Sequence, residues 1–135
     1  MSKSFGNTIG LREEPGVIRD KLRTMPTDPA RVRRTDPGNP DICPVWQLHL
    51  VYSDDEVKHW VREGCTTAGI GCLDCKQPVI DAVLVELAPI QARAGEFERN
   101  PERVRTIINE GSEAARDVAR ETLEEVRQAM GLIYT

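Results

Sequence analysis

Cys43, Cys65, Cys72 and Cys75 are all of the cysteines in this 135-residue chain, with 21, 6 and 2 residues between them in turn. The Cys72-x-x-Cys75 pair brings two thiolates within reach of one metal. Between Cys65 and Cys72 lie Gly69 and Gly71, which allow a tight wrap, and Cys43 opens a neighbouring apolar stretch from which it can close the site. Four thiolates suit zinc or an iron–sulfur cluster, because soft sulfur ligands select both. The competing reading is four buried, inert thiols, since unpaired cysteine is a common core residue. The N-terminus carries neither an apolar signal segment nor an arginine-rich transit pattern. The expected compartment is therefore the cytoplasm, where reducing conditions favour metal ligation over disulfides.

Other side chains could meet a ligand. Arg31, Arg33 and Arg34 can contact phosphates, each contact weakening with salt, or can belong to a solvated linker. Net charge is −4 overall, yet the first 40 residues hold eight Lys or Arg against five acids, so any polyanion contact should favour the first third. Trp46 and Trp60 could stack on a base, but both fall near apolar faces and are expected in the core. His49 and His59 have no acid–nucleophile partners in the pattern, which makes them structural. Aromatic residues at 4% disfavour a stacking platform for single-stranded nucleic acid as the main surface. No apolar run approaches the ~20 residues of a membrane-spanning helix.

The elements that must carry these groups read as helices. Pro15 to Thr24 places Val17, Ile18 and Leu22 on one face after an acidic, proline-marked start. Residues 31–40 are a connecting segment rich in turn signals. Pro44 to Tyr52 has helical spacing. Ser53 to Glu56 is a capping-box pattern with Ser53 as the cap, Val57, Trp60 and Val61 follow, and Gly64 should close that helix. Cys72 to Leu87 fits a helix packed on one side, with Pro78 in its first turns and a kink expected at Pro89. Asn100-Pro101 begins a long amphipathic helix that should end near Gly131. The sum is an all-α helical bundle behind a small, polar opening, Met1 to Thr8, that reads as a mobile loop.

That opening carries a resemblance. Met1-Ser2-Lys3-Ser4 matches the last four residues of the KMSKS signature of class I aminoacyl-tRNA synthetases. Cys43-Pro44-Val45, His49, Ser53, Glu56, Ile70-Gly71-Cys72 and Asp74-Cys75-Lys76 resemble bacterial tryptophanyl-tRNA synthetases, and the resemblance runs on to the C-terminus. It implies the C-terminal portion of an enzyme that activates L-tryptophan with ATP and Mg2+ and esterifies tRNA(Trp). Met1, Ser2, Lys3 and Ser4 would then be the ATP-closing loop, with Lys3 the catalytic, phosphate-contacting lysine. Residues 1–40 would be that loop and the linker from the catalytic domain, and residues 41–135 the helical anticodon-binding domain. The family also implies a homodimer. A subset of its members holds a 4Fe-4S cluster on four cysteines beside the anticodon-recognising surface. Cys43, Cys65, Cys72 and Cys75 match that set in order and in the last two gaps, while the first gap is one residue shorter. Zn2+ or an empty site are the alternatives for the same four residues. The family's HIGH-type motif, Rossmann half and tryptophan pocket have no counterpart in these residues, so the chain alone is expected to be inactive. A reading from a different class is a free-standing four-cysteine metal or iron–sulfur protein with a redox or protein-binding role.

Overall fold

The computed structural model describes residues 3–132. Among the described residues the regular structure is helical throughout: α1 (Pro15–Thr24), α2 (Pro44–Tyr52), α3 (Asp55–Thr66), α4 (Cys72–Arg99) and α5 (Pro101–Ala129), with short 3-10 turns at Lys3–Phe5 and Pro40–Ile42. The chain divides into two compact units, Met1–Ala92 and Arg93–Thr135. No described helix is long and apolar enough to cross a membrane.

In the first unit, α1 starts at Pro15, whose missing N–H costs nothing at a first helical position. Its Ile18 and Leu22 meet Val79, Ile80, Val83 and Leu87 of α4, and Ile9, Leu48 and Tyr52 pack against this core. Full removal of each such side chain from water stabilises the fold by about 1.5–3 kcal/mol before chain entropy is counted. A second, smaller core joins Trp46 of α2, Val61 of α3 and Ile70, with Cys43, Val57 and Cys75 packed against it.

The α3 boundaries differ from the sequence expectation at both ends. The cap is Asp54, whose carboxylate accepts from Val57 N at 2.8 Å. Ser53 is turned to a different partner, the His49 ring, at 2.8 Å. Gly64 lies inside the helix, which continues to Thr66. Its glycine character serves packing, since a Cβ there would sit 2.8 Å from the Ile70 side chain. Reversal falls to Ala68, which takes the left-handed conformation at φ 58°. α4 runs through Pro78 and continues beyond Pro89 to Arg99.

In the second unit, Asn100 caps α5, its side chain accepting from Arg103 N at 3.2 Å, and Pro101 takes the first helical position. No residue of α5 is buried. Ile107, Ile108, Val118, Leu123 and Val126 are all exposed, so the amphipathic stripe is present and uncovered among the described residues.

Candidate functional site

The four cysteines are delivered by three helices. Cys43 is the residue before α2, Cys65 lies in the last turn of α3, and Cys72 and Cys75 sit in the first turn of α4. Burial raises the Cys75 thiol first, and repulsion from Cys43, Cys65 and Cys72 adds to it, pushing its pKa up to about 12. Burial likewise raises Cys65, opposed by the Arg31 charge. Cys43 and Cys72 thus act electrostatically on both Cys65 and Cys75.

The surroundings of the thiols were not legible in the sequence. Gly38 donates its N–H to Cys65 O at 2.9 Å, and a Cβ on Gly38 would lie 2.6 Å from Cys65 Sγ. Glycine is required there by close approach. Arg31 is buried, donating from Nη2 to Ile70 O at 2.6 Å and to Arg34 O at 2.9 Å, while its Nη1 lies 4.0 Å from Cys65 Sγ. Its Nε is a buried donor with no hydrogen-bond partner among the described residues. This corrects both sequence readings of Arg31: it is neither an exposed phosphate contact nor part of a solvated linker. Arg33 and Arg34 are exposed, and Arg34 pairs with Asp74 at 3.6 Å.

Lys76 is the second buried cation. Its ammonium donates to Arg23 O and Met25 O, each at 2.6 Å, and so satisfies carbonyls at the C-terminal end of α1 where the helix dipole also favours positive charge. Burial lowers its pKa, and the neighbouring cysteines act in the opposite direction. His49 is fully buried, as expected of a structural histidine. Its Nδ1 faces Ser53 Oγ, and its Nε2 lies 3.1 Å from Cys75 O and 3.4 Å from Cys75 Sγ. Burial depresses its pKa, which keeps the ring neutral. His59 is instead exposed beside Glu63. Trp46 is buried with Arg62 over its ring, whereas Trp60 is 42% exposed, against the expectation that both tryptophans are core.

Tested against a metal, the donor set is chemically apt, being thiols flanked by buried cations that would balance thiolate charge. The geometry is not: among the described residues, no group of three or more His, Cys, Asp or Glu side chains is placed to hold a metal ion. The metal-binding expectation, zinc included, thus finds no support in the arrangement.

At the other end of the unit, Lys3–Phe5 form a single 3-10 turn and Gly6 follows at φ 64°. Met1 and Ser2, expected in the ATP-closing loop, lie outside the described residues. The segment is tied down from Thr8 onward. Lys21 donates to Thr8 O at 2.7 Å and pairs with Glu13, which also accepts from Gly10 N at 3.1 Å.

No protein-family model matches the chain. The tryptophan–tRNA ligase of Ralstonia nicotianae is 58% identical over 135 residues, covering 100% of this chain and 34% of that protein. Those of Deinococcus radiodurans and Thermotoga maritima are 49% and 47% identical, covering 98% and 99% of the chain and 40% and 41% of the relatives.

The chain is similar along its whole length to the C-terminal part of bacterial tryptophan–tRNA ligases.

It spans between 34% and 41% of the length of these curated ligases. Crystal structures of tryptophanyl-tRNA synthetase from Campylobacter jejuni share the fold at a TM-score of 0.81 and 20% identity, covering 98% of the chain and 42% of the synthetase in one case. Another, complexed with ADP and tryptophan, matches with the same score. The all-α expectation is thereby met. The alternative of a free-standing iron–sulfur protein is not supported, because the ligase similarity extends across the whole chain.

Proposed function

We propose that this chain is the C-terminal part of a tryptophan–tRNA ligase, an enzyme that activates L-tryptophan with ATP and Mg2+ and transfers it to tRNA(Trp). The observation that carries the reading is the 58% identity over every residue of the chain to a ligase from Ralstonia nicotianae. On this reading Met1, Ser2, Lys3 and Ser4 close over the triphosphate. The Lys3 ammonium would bond phosphate oxygens as negative charge builds on the departing pyrophosphate, an interaction strongest in the transition state. The small neighbours Ser2 and Ser4 leave room for that approach. Residues 1–40 form the loop and linker, residues 41–135 receive the anticodon arm, and the whole enzyme acts as a cytoplasmic homodimer. The catalytic half is needed for any chemistry.

A 4Fe-4S cluster on Cys43, Cys65, Cys72 and Cys75 is a finer proposal, supported by the family resemblance in the order and spacing of the four cysteines. When bound it would supply a thiolate-ligated, redox-capable charge centre. Arg31 and Lys76 would balance that charge, and His49 would stay neutral beside Cys75. Native mass spectrometry of anaerobically prepared chain tests this. Added mass of four irons and four sulfides is expected, and the bare polypeptide mass would overturn it.

The ligase reading is tested with a chimera in which this chain replaces the C-terminal part of the Ralstonia nicotianae ligase. Tryptophan-dependent ATP–pyrophosphate exchange is expected in the chimera, and Lys3→Ala should lower it on the order of 10²-fold. An unchanged rate on Lys3→Ala would remove Lys3 from the chemistry.

A further inference from the structure

The opening of the chain changes character within a few residues. Ser4, Phe5, Gly6 and Asn7 are exposed, whereas Thr8, Ile9 and Gly10 are half-buried. Gly6 has φ 64°, and a Cβ there would meet nothing within 4 Å, so the backbone conformation and not crowding calls for glycine. On one side Phe5, Gly6 and Asn7 border a cleft of about 360 Å³ whose far wall includes Leu22, Met25 and Pro26. Packing across that space does not seat them. From Ile9 onward the chain is tied to the body of the unit: Ile9 lies against the core of Ile18 and Leu22, and Gln91 Nε2 of α4 donates to Glu13 O at 2.9 Å.

One side chain joins both ends of the held stretch. Lys21, on α1, donates from Nζ to Thr8 O at 2.7 Å and pairs with the Glu13 carboxylate. Glu13 in turn accepts from Gly10 N at 3.1 Å, and its own N–H donates to Gly10 O at 3.2 Å, which closes residues 10–13 into a turn. The Lys21 bond is the main cause that holds the Glu13 carboxyl below its ordinary range, so the group is a carboxylate at neutral pH and the bond is charge-assisted. A single ammonium thereby fixes the strand at Thr8 and the turn behind it to the same helix.

We propose that Lys21, clasping Thr8 O and Glu13, is a positioning residue for Lys3. The proposal rests on the ligase reading, in which the Lys3 ammonium meets the triphosphate. Thr8 lies only five residues after Lys3, so where Thr8 is held sets where the Lys3 ammonium can reach. A displacement of about 1 Å caused far from the reacting atoms can cost on the order of 10²-fold in rate. Glu13 shares the role, because it supplies the second partner of the Lys21 ammonium and locks the turn through Gly10.

The test is a double-mutant cycle between Lys21 and Lys3, read as tryptophan-dependent ATP–pyrophosphate exchange in the chimera. Lys21→Met removes the donors and keeps an unbranched side chain. It is expected to lower the rate roughly tenfold where Lys3 is present. Where Lys3 has already been replaced by alanine, the further loss should be less than about twofold, since residues that act through one group are not additive. Glu13→Ala breaks the clasp from the other side and should give the same pattern. Thermal unfolding of each variant checks that the fold is retained. A role confined to stability would lower the rate by the same factor in both backgrounds, and that result would overturn the proposal. Exchange undiminished by Lys21→Met and by Glu13→Ala would overturn it too. Either result leaves the ligase reading standing, whereas a chimera without exchange before any substitution counts against the ligase reading itself.

Discussion

The residues that hold the cysteine neighbourhood together are the buried cations and a glycine. Lys76 is the sharper case, because its ammonium is the shared partner of two carbonyls at the end of α1. Lys76→Met should destabilise the chain by about 1 kcal/mol through loss of two part-buried hydrogen bonds to the end of α1, read as a lower urea midpoint. Glu13 sets a pH dependence of its own. Its hydrogen bond from Lys21, then that from Gly10 N, holds its pKa below the ordinary 4.5. A folded value below the unfolded one stabilises the protein above about pH 4.5, and the contribution is lost as pH falls through the folded value. Urea midpoints measured from pH 7 to about pH 3 should therefore fall less steeply for Glu13→Gln than for the unaltered chain. Residue types and spacing are enough to single out the cysteines and to make His49 structural. They do not show that Arg31 and Lys76 are buried, since their partners lie 39 and up to 53 residues away and leave no mark on local pattern. Trp60 shows the converse limit: it shares a helical face with Val57 and Val61, but only Val61 of the three is fully enclosed.

Helices are legible wherever proline and apolar period agree. α1 and α2 fall on the residues that proline starts and the spacing of Ile18, Leu22, Val45 and Leu48 mark out, and Asn100-Pro101 starts α5 as its capping chemistry requires. The start of α3 is ambiguous in the sequence because Ser53 and Asp54 are both good cap residues, and the choice is made by His49, which engages the serine. Asp54→Ala should cost about 1 kcal/mol in chain stability through the lost cap. Ser53→Ala should leave helix content at the start of α3 unchanged; amide hydrogen exchange at Val57 and Lys58 distinguishes the two. Gly64 has the character of a stop because glycine is poor inside helices. The overriding cause is Ile70, which needs the space above it. For α5, period reveals an apolar face and nothing more, since periodicity reports which residues share a side and is silent on what covers them.

At the scale of the molecule, the buried apolar side chains and the four thiols concentrate in residues 1–92, while α5 buries nothing. The ligase resemblance is legible in the amino-acid sequence itself, through the Lys3 loop, the cysteine order and the run from Ile70 to Lys76, and the similarity to the Ralstonia nicotianae ligase extends across the whole chain. The metal is not legible there, because a set of cysteine positions fixes which donors are near one another and not the distances between their sulfurs. The most direct test of the ligase assignment is tryptophan charging of a tRNA(Trp) transcript by the chimera in which this chain replaces the C-terminal part of the Ralstonia nicotianae enzyme. Charging at a rate comparable to the parent enzyme is the expected result. A chimera that folds and exchanges pyrophosphate but leaves tRNA(Trp) uncharged would contradict the tRNA-binding role given to residues 41–135.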